Sequence, residues 1–376
     1  MTSQETAAVP LRILFAGGGT GGHLYPGIAI AEEIRKRLPS AELLFLGNRK
    51  NIEARIVPGK GFSFFPIRVA GFRRSLSFDT LLSLVKLIVA VVQSFLLIRR
   101  LKPKVVVGTG GYVCGPPLYV ASLVGIPTLI QEQNSYPGVT TRILASRVSE
   151  VHLSFDRARR YIKRTEGVFV SGNPTREAIG CIERRVGAEH LHVDDSLFTV
   201  LVVGGSRGAR SINDAILGMV DSLAALGMQL VWGSGGDDYE RCRTALEGKV
   251  GSGAGPLHLL PYIEEMEFAY AVADLVVCRA GATTIAEITR AGLPSVLIPY
   301  PFAAADHQTE NAKALEEAGA AAVVPDAETG AMLLPLIRGL LHDPARLKAM
   351  GDRARQLGAP RATEILADAV LRLAGG

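Results

Sequence analysis

The chain has 376 residues, of which 48% are hydrophobic and 20% are charged, and its formal net charge at pH 7 is +5. This composition excludes a fibrous or disordered protein, and the length predicts two domains that can each bury a core. The four cysteines lie far apart without a CxxC pair, so we interpret them as reduced cytosolic thiols rather than as a disulfide framework or a zinc site.

The charge is divided unevenly along the chain. Residues 1–173 hold 23 Lys and Arg against 10 Asp and Glu, a net charge of +13, and the remainder holds 18 against 26, a net charge of −8. This split predicts that the first half meets a polyanion, either nucleic acid or an anionic membrane surface. A solvated imbalance of charge without a partner is the alternative. Residues 1–10 have no signal-peptide pattern, so we expect the chain to stay in the compartment where it is made.

Short runs rich in Val, Ile, Leu and Phe alternate with segments of helical period along the whole chain. We predict strands at residues 11–16, 43–46, 105–107, 128–130 and 169–170, and in the second half at 198–203, 229–232, 257–260, 275–277, 295–298 and 321–323. The alternation predicts an α/β protein with parallel sheets and right-handed crossovers. Ligands of such sheets bind beyond the carboxyl ends of the strands.

The first predicted strand leads into a glycine-rich turn, GGGTGGH (residues 17–23), that opens a helix. Backbone N–H groups in such a turn can approach an oxyanion, and the helix adds the positive end of its dipole. The turn also fits GxGxxG, but a nicotinamide-dependent dehydrogenase is disfavoured because the second strand does not end in the acidic residue that would bind the ribose. His23 lies at the helix start, where it can serve as a general base or orient a hydroxyl; a structural histidine is the alternative.

Residues 81–98 are apolar except for four polar side chains, and they are bracketed by basic residues between 73 and 104. The segment borders on the length of a membrane span. However, Asp79, Lys86, Gln93 and Arg100 recur every seven residues and form a narrow polar stripe. We therefore predict a helix that buries one face in the core and offers the other face, with its basic flanks, to an anionic bilayer surface; an ordinary buried helix is the alternative.

Two further loops of the first half follow predicted strands. The first contains Gly110, Gly111 and Tyr112 and can form another backbone nest for an anion. The second, residues 132–138, carries Asn134, whose side chain can donate to and accept from a sugar hydroxyl or an amide. Ordinary turn residues after strands are the alternative for each loop.

Turn residues at 171–174 mark the predicted domain boundary, and Pro174 is suited to begin a new helix. The predicted domains are residues 1–173 and 174–357, followed by residues 358–376, which contain a terminal helix that packs back on the first domain. A second glycine-rich turn, GGSRGAR (residues 204–210), follows the first strand of the second domain. Two such turns predict one site shared by two Rossmann-like halves, with phosphate chemistry between them.

The run CRAGATTIAE (residues 278–287) follows a strand and would start a helix whose free N–H groups and threonine hydroxyls suit a diphosphate. Glu287, about one turn inside this helix, can accept both hydrogens of a ribose diol; a surface glutamate is the alternative. The backbone of Ile263 can contact a planar base. The helix start that contains Asp306 and Gln308 would supply polar groups for a sugar.

Several motifs are absent from the sequence, namely GxxxxGK[ST], HExxH, DxD and GxSxG. P-loop, zinc-protease, metal-chelating transferase and serine-hydrolase functions therefore lack their core residues. The aromatic and basic strand pattern of RNA-binding domains is also absent. We accordingly expect no nucleic-acid partner, no metal and no cofactor.

Seven motifs in this order resemble those of the MurG family, the bacterial N-acetylglucosaminyltransferases of peptidoglycan synthesis: GGTGGH (18–23), GGY (110–112), EQN (132–134), GNPTR (172–176), GGSRGAR (204–210), RAGATTIAE (279–287) and DHQTENA (306–312). The resemblance implies a GT-B fold, in which two Rossmann-like domains with parallel sheets face a deep cleft. It further implies transfer of GlcNAc from UDP-GlcNAc to the C4 hydroxyl of MurNAc in undecaprenyl-pyrophosphoryl-MurNAc-pentapeptide, with inversion, at the cytoplasmic face of the membrane.

The resemblance also implies roles for individual residues. His23 becomes the candidate catalytic base, and UDP-GlcNAc is contacted by Thr20, Gly21, Gly22, Asn134, Arg176, Ser206, Ile263, Ala282, Thr283, Thr284, Ile285, Ala286, Glu287 and Gln308. Candidates for binding the acceptor pyrophosphate are Gly18, Gly19, Gly110, Gly111 and Tyr112. The chain departs from some members at Thr309, where they have a second glutamine. Without a DxD motif, Ser206, the 281–284 turn and a helix dipole would stabilise the leaving diphosphate, so we expect transfer to survive metal chelation.

Two alternatives to this function stay open. One is another GT-B enzyme, either a glycolipid synthase or a UDP-GlcNAc 2-epimerase; an epimerase would need no lipid acceptor and no exposed membrane helix. The other is a non-catalytic subunit that binds lipid or nucleotide. It is disfavoured because both predicted half-sites and His23 lie on one chain.

Overall fold

The computed structural model describes residues 10–69, 78–205, 207–247, 256–303 and 306–375, with the backbone alone for residues 78–84. The chain divides into two compact units, which are described separately. Unit 1 is Met1–Pro174 together with Arg361–Gly376, and unit 2 is Thr175–Pro360. The end of the chain therefore belongs to the same unit as its first half.

The described residues of unit 1 form seven strands: β1 (Arg12–Ala16), β2 (Glu42–Asn48), β3 (Ser63–Ile67), β4 (Val105–Gly108), β5 (Thr128–Glu132), β6 (Glu150–Leu153) and β7 (Val168–Val170). They pair in parallel in the order β3-β2-β1-β4-β5-β6-β7. Ala16 at the end of β1 lies opposite Gly108 at the end of β4. The loops that follow these two strands therefore begin side by side.

Two strands of unit 1 are not predicted from the sequence, β3 and β6. β3 contains Pro66, which has no N–H to donate, and the strand accordingly lies at the edge of the sheet. β6 contains Glu150 and His152, which interrupt the apolar pattern although both are buried. Its polar side chains pair with each other and with Ser171 and Arg372, so the strand is buried without being apolar.

The helices of unit 1 cover both faces of the sheet: α1 (Gly21–Arg37), α2 (Glu53–Gly59), α3 (Phe78–Leu101), α4 (Gly115–Leu123), α5 (Val139–Leu144) and a C-terminal helix (Ala362–Leu373). A 3-10 helix spans Asp156–Tyr161. Leu366, Ala367 and Val370 of the C-terminal helix are buried in one core cluster with Ile30 and Ile34 of α1. The last turns of the chain thus complete the hydrophobic core of unit 1.

One face of α3 is apolar and exposed. The exposed side chains are Val85, Ile88, Val89, Val92, Phe95 and Leu96, the last with 61% of its surface exposed. Ala90, Ser94 and Ile98 on the opposite face are buried. Within the described part of the chain, no helix is both long and apolar enough to cross a membrane. Basic residues 73 and 74 and the side chain of Leu82 lie outside the described residues.

Unit 2 has six parallel strands in its described residues: β8 (Thr199–Val203), β9 (Gln229–Gly233), β10 (Leu257–Leu260), β11 (Leu275–Cys278), β12 (Ser295–Leu297) and β13 (Ala321–Val323). Their order is β10-β9-β8-β11-β12-β13, which is the order of a Rossmann sheet. Each of these strands is predicted from the sequence to within one residue at either end. The predicted α/β class with parallel sheets is confirmed.

The helices of unit 2 are α6 (Arg184–Leu191), α7 (Arg210–Ala225), α8 (Tyr239–Leu246), α9 (Met266–Val272), α10 (Ala282–Ala291), α11 (His307–Glu317), α12 (Thr329–Leu341) and α13 (Pro344–Leu357). A 3-10 helix spans Asp326–Glu328. The indole of Trp232 on β9 is fully buried in the core and donates to Asn213 of α7 at 3.0 Å.

The prediction that Pro174 begins a helix is wrong. The chain after Pro174 forms irregular turns, and the next helix begins at Arg184. The guanidinium of Arg290, on α10, donates to the carbonyls of Glu177 and Ile179, each at 2.9 Å. These bonds occupy carbonyls that a helix over this segment would use for its own backbone hydrogen bonds.

Candidate active site

A buried carboxylate holds the first glycine turn of unit 1. Glu53, the first residue of α2, accepts the backbone N–H of Gly19 at 3.1 Å and that of Asn48 at 2.9 Å. A Cβ atom on Gly18 would lie 2.4 Å from the carboxyl carbon of Glu53, so the turn packs too closely for a side chain there. Because the N–H of Gly19 is occupied, the amides of residues 20–22 at the start of α1 are those best placed for an anion.

His23 lies in the first turn of α1, beside the loop that follows β4. Its Nδ1 atom is 2.9 Å from Oε1 of Gln133, and its backbone carbonyl accepts the hydroxyl of Thr109 at 2.7 Å. Gly110 has a φ of 101°, and a Cβ atom there would lie 2.6 Å from Nδ1 of His23. The half-buried imidazole is therefore clamped through Nδ1, while Nε2 makes no hydrogen bond to the described residues.

The other residues predicted for the acceptor lie next to this imidazole. A Cβ atom on Gly111 would lie 2.5 Å from the carbonyl oxygen of Gly18 and 3.3 Å from Cδ2 of His23. The hydroxyl of Tyr112 accepts the side-chain N–H of Asn51 at 3.2 Å. The structure thus brings together two loops that the sequence predicts separately, the one after β1 and the one after β4.

The loop after β5 is organised around Glu132, whose side chain is buried. One carboxylate oxygen accepts the backbone N–H and the side-chain N–H of Asn134 at 3.1 and 3.3 Å. The other accepts the N–H of Gly138 at 3.0 Å and the hydroxyl of Thr141 at 2.6 Å. The amide of Asn134 is therefore held in a fixed orientation at the carboxyl end of the sheet.

In unit 2 the glycine turn after β8 interlocks with the loop after β9. Gly208 has a φ of 85°, and a Cβ atom there would lie 2.1 Å from the carbonyl oxygen of Ser234. A Cβ atom on Gly235 would lie 2.1 Å from the nitrogen of Gly208. Backbone thus packs directly on backbone at this point. Ser206, the predicted diphosphate contact in this turn, lies outside the described residues.

Helix α10 begins after the three-residue loop that follows β11, and it presents free N–H groups. No side chain caps it, so the amides of Ala282, Thr283 and Thr284 have no partner within the helix. The hydroxyl of Thr283 is buried and has no hydrogen-bond partner among the described residues. The amide of Ile285, in contrast, donates to Gly281 at 2.9 Å, and its side chain is buried. The first three residues of the predicted run 282–287 therefore carry hydrogen-bond donors suited to a diphosphate. Ala286 lies further along the helix and is half-buried.

Glu287 lies one turn further along α10 and is nearly buried. Its carboxylate accepts the hydroxyl of Tyr270 at 3.0 Å and pairs with the guanidinium of Arg176 at 3.5 Å. Burial raises the pKa of Glu287, and the nearby Arg176 and the Tyr270 hydroxyl oppose this rise. Arg176 also pairs with Glu267 at 2.9 Å and donates to the carbonyl of Glu264 at 3.1 Å. Arg176 and Glu287, which are both predicted to contact UDP-GlcNAc, are thus in contact with each other.

Arg279 ties together the loops at the carboxyl ends of β11 and β12. Its guanidinium donates to the carbonyls of Ile298 and Pro299 at 3.2 and 3.3 Å, to Asp326 at 2.5 Å and to the hydroxyl of Ser211 at 3.0 Å. These bonds fix the start of α7 relative to the residues that precede α10.

The other residues of unit 2 that are predicted to contact UDP-GlcNAc are Gln308 and Ile263. The side chain of Gln308 accepts the backbone N–H of Tyr300 at 3.0 Å. The hydroxyl of Thr309, where some members of the resembled family have glutamine, donates to Asp306 at 2.6 Å. The side chain of Ile263 is buried and packs near Gly233.

Sequence reasoning missed four residues that hold the site in place: Glu53, Gln133, Tyr270 and Arg279. Glu53 lies five residues after β2, beyond the strand end where an acidic ribose ligand is expected, and an acidic residue near a glycine-rich turn is the local signal for it. Gln133 and Arg279 lie within the motifs EQN and RAGATTIAE, but the polar groups expected to contact ligands belong to their neighbours in those motifs. The sequence around Tyr270 gives no sign of a role in the site, because Tyr270 lies in a short helix of mostly apolar residues.

The two parallel sheets, each with a glycine-rich turn after its first strand, and the uncapped start of α10 fit a glycosyltransferase of the GT-B class. The fold is shared with the calicheamicin glycosyltransferase CalG4, with a TM-score of 0.69 at 15% identity over 97% of this chain and 98% of that one. The models of the N-terminal and C-terminal domains of glycosyltransferase family 28 match residues 13–153 and 199–366.

Two proteins that are more similar to this chain than CalG4 narrow the class of glycosyltransferase to one family. The crystal structure of MurG from Acinetobacter baumannii has a TM-score of 0.77 and 29% identity, covering 96% of this chain and 100% of that one. The UDP-N-acetylglucosamine--N-acetylmuramyl-(pentapeptide) pyrophosphoryl-undecaprenol N-acetylglucosamine transferase of Chlorobium limicola is 46% identical over 369 residues, which cover 97% of this chain and 100% of the relative. The chain belongs to the MurG family within glycosyltransferase family 28.

Proposed function

We propose that this protein transfers GlcNAc from UDP-GlcNAc to the C4 hydroxyl of MurNAc in undecaprenyl-pyrophosphoryl-MurNAc-pentapeptide, forming a β1→4 bond with inversion, as a step of peptidoglycan synthesis. The family relatives bear this transferase activity in their names and match the chain over nearly its full length. The observation that carries the proposal is His23, which is clamped through Nδ1 beside two glycine-rich loops and leaves Nε2 open to a hydroxyl.

In this reaction Nε2 of His23 accepts the proton of the C4 hydroxyl as the hydroxyl oxygen attacks C1 of GlcNAc. The bond from C1 to the diphosphate oxygen breaks, and its electron pair leaves with UDP. The new bond forms on the face opposite the leaving group, which inverts the configuration at C1. The proton stays on the imidazole until solvent removes it.

The leaving diphosphate needs stabilisation of its developing negative charge. The free amides of Ala282, Thr283 and Thr284 and the unpartnered hydroxyl of Thr283 supply donors, and the dipole of α10 adds a positive potential. Ser206 is proposed as a further contact. If these donors and the helix dipole suffice to stabilise the diphosphate, transfer continues in the presence of a chelator.

The uridine part of the donor is proposed to bind in unit 2. Glu287 accepts hydrogen bonds from the ribose diol, with Arg176 and Tyr270 holding its carboxylate, and the backbone of Ile263 contacts the uracil. Ile285 and Ala286 lie in the same turn of α10, and Gln308 binds the sugar. From unit 1, the donor contacts are Thr20, Gly21, Gly22 and Asn134.

The acceptor is proposed to bind in unit 1. The turns that contain Gly18, Gly19, Gly110, Gly111 and Tyr112 bind its pyrophosphate through groups other than the N–H of Gly19, which Glu53 occupies. The exposed apolar face of α3, flanked by Arg99, Arg100, Lys102 and Lys104, rests on the anionic surface of the cytoplasmic membrane face, where the polyprenyl chain is anchored. The protein is thus a peripheral membrane protein.

The test uses the purified full chain with UDP-GlcNAc and a polyprenyl-pyrophosphoryl-MurNAc-pentapeptide, and measures both UDP release and labelled GlcNAc in the lipid. We expect UDP to appear only with the acceptor and in equal amount to the transferred sugar. His23→Ala should lower turnover about 100-fold or more while UDP-GlcNAc affinity stays nearly intact. The control His342→Ala changes an exposed histidine of unit 2 and should leave turnover unchanged.

Two outcomes would contradict the proposal. Interconversion of UDP-GlcNAc with its C2 epimer in the absence of lipid would show an epimerase. Unchanged turnover of His23→Ala would remove the base assignment.

A further inference from the structure

A row of buried side-chain amides leads away from His23. Gln133, Gln131 and Asn173 are each at most 3% exposed. Nδ1 of His23 contacts Oε1 of Gln133 at 2.9 Å, Nε2 of Gln133 contacts Oε1 of Gln131, and Nε2 of Gln131 contacts Oδ1 of Asn173 at 3.2 Å. The row ends at Asn173. The next residue, Pro174, is the last one of unit 1 before the chain enters unit 2.

The orientation of the Gln133 amide is fixed by its surroundings. Its Nε2 atom lies 2.8 Å from the backbone carbonyl of Thr109 and 3.0 Å from that of Gln131. A backbone carbonyl can only accept a hydrogen bond, so the nitrogen must be on this side of the amide. The oxygen Oε1 therefore faces His23.

The next amide is fixed in the same way. Nε2 of Gln131 lies 3.1 Å from the hydroxyl oxygen of Ser154 and 3.5 Å from the carbonyl of Gly172. The Ser154 hydroxyl donates its own hydrogen to the carbonyl of Glu132 at 2.9 Å, so toward Gln131 it can only accept. Gln131 consequently turns Oε1 to Gln133, and every amide of the row presents its oxygen toward the imidazole.

This polarity determines which ring nitrogen of neutral His23 carries the hydrogen. A carbonyl oxygen at 2.9 Å from Nδ1 requires a donor there, so Nδ1 is protonated and the lone pair lies on Nε2. Nε2 is the nitrogen without a partner among the described residues. The aligned amides polarise one another and strengthen the bond to His23.

We propose that Gln133, supported by Gln131, is a positioning residue that holds His23 as the Nδ1–H tautomer and so keeps Nε2 as the proton acceptor. The inference rests on the proposed function for its catalytic meaning, but the tautomer itself is a property of the free protein. It assigns a role to a residue that makes no contact with substrate in the proposed mechanism.

The first test is ¹⁵N NMR of the histidine rings in the full-length free protein, with the His23 signal assigned by its loss in His23→Ala. His152 provides an internal reference of opposite tautomer: its Nε2 lies 3.0 Å from the carboxylate of Glu150 and its Nδ1 lies 2.6 Å from the hydroxyl of Ser171. We expect Nδ1–H for His23 and Nε2–H for His152. An Nε2–H tautomer of His23 in the unmodified protein would overturn the proposal, whatever reaction the protein catalyses.

The second test separates positioning from general stability. Gln133→Leu removes the acceptor, and we expect kcat to fall about 10- to 100-fold with KM for UDP-GlcNAc unchanged, together with loss of the Nδ1–H signature. Gln133→Glu presents an oxygen to Nδ1 whether or not it is ionised, and it should retain the tautomer and recover part of kcat.

Gln229→Leu is the matched control, because it removes an equally buried glutamine of unit 2 that donates to Thr199 at 2.6 Å. It should leave the His23 signal and kcat in place. If Gln133→Leu retains full kcat, or if Gln229→Leu lowers kcat equally, Gln133 has no positioning role. If no variant or unmodified protein transfers GlcNAc while the tautomer is as expected, the proposed function fails and the tautomer assignment stands.

Discussion

Arg372, in the last turns of the C-terminal helix, donates two hydrogen bonds to the carboxylate of Glu150 on β6, at 2.7 and 3.1 Å. Glu150 is 7% exposed, and its carboxylate also accepts Nε2 of His152. Burial would raise the pKa of Glu150, but Arg372 and His152 outweigh it and hold the pKa below its usual value. The carboxylate is thus an ionised anchor for the end of the chain.

Removing the cation should destabilise unit 1. We expect Arg372→Ala to lower the free energy of unfolding by about 1–2 kcal/mol, because the buried carboxylate of Glu150 loses two charge-assisted hydrogen bonds. The loss stays this small because the side chain of Arg372 is exposed, so water already screens much of the attraction. Urea unfolding measures this change. Arg361→Ala breaks an exposed pair with Glu364 and should cost about 0.5 kcal/mol or less. Equal losses in both variants would contradict the anchoring role.

The same cluster predicts a pH dependence of stability. Burial lowers the pKa of His152, the charge of Arg372 lowers it further, and Glu150 opposes the shift. A histidine whose pKa is lowered in the folded state binds a proton more readily when the protein is unfolded. The folded state is therefore most stable above the ordinary histidine pKa near 6.5, and it loses stability as the pH falls below that value. The contribution of Glu150 is lost only at more acidic pH. Unfolding of unmodified protein should therefore become easier between pH 7 and pH 5, and His152→Gln should reduce this dependence; an unchanged slope would refute it.

The close packing of Gly18 on Glu53 predicts a loss of activity without loss of the fold. In Gly18→Ala the new Cβ would have to displace the carboxylate that holds the glycine turn. We expect GlcNAc transfer to fall at least about 10-fold, since positioning errors of this size remove much of the benefit of a prepared site. Gly218→Ala is the control: it lies in helix α7 with open space around it and should leave transfer unchanged. Circular dichroism checks that both variants fold.

The bond from Tyr270 to Glu287 predicts an effect on the donor alone. Tyr270→Phe keeps the buried ring and removes the hydroxyl that orients the carboxylate, so we expect KM for UDP-GlcNAc to rise about 3- to 10-fold, equivalent to one hydrogen bond, with little change in kcat. Steady-state kinetics with both substrates measures this. Tyr119→Phe in unit 1 serves as the control. A change in kcat without a change in KM would argue against a ribose role for Glu287.

The exposed face of α3 predicts binding to membranes. Val89→Glu or Leu96→Glu should weaken binding to anionic vesicles about 10-fold for at least one of the two, because each removes buried apolar area and adds a repelled charge. Leu357→Glu introduces the same charge at an exposed leucine of unit 2 and should leave vesicle binding intact. Full retention of both α3 variants in vesicle sedimentation would exclude this face as the membrane contact.

The sequence predicts the sheets well where strands are apolar and flanked by glycine turns. β8 and β11 of unit 2 are of this kind, because they consist mainly of Val and Leu and lead into loops that contain glycine. It fails where burial is achieved by pairing polar groups, as in β6, or where a proline occupies an edge strand, as in β3. Such strands depend on partners far away in the chain, and no local pattern contains that information.

The candidate site divides in the same way. The residues that carry backbone donors, such as the glycines before His23 and the threonines at the start of α10, have recognisable local spacing. The residues that hold them, such as Gln133 and Tyr270, act through contacts with elements more than ten residues away. Their role follows from the packing of helices against strands, which a single sequence does not specify.

Leu366, Ala367 and Val370 fill the core beneath β1 and α1, although all seven described strands of unit 1 lie within the first 170 residues. During translation the amino-terminal half therefore emerges with an open hydrophobic surface and must wait for all of unit 2 to be synthesised before that surface is covered. Ribosome-bound chains that stop short of residue 361 should accordingly recruit chaperones more than released full-length chains do.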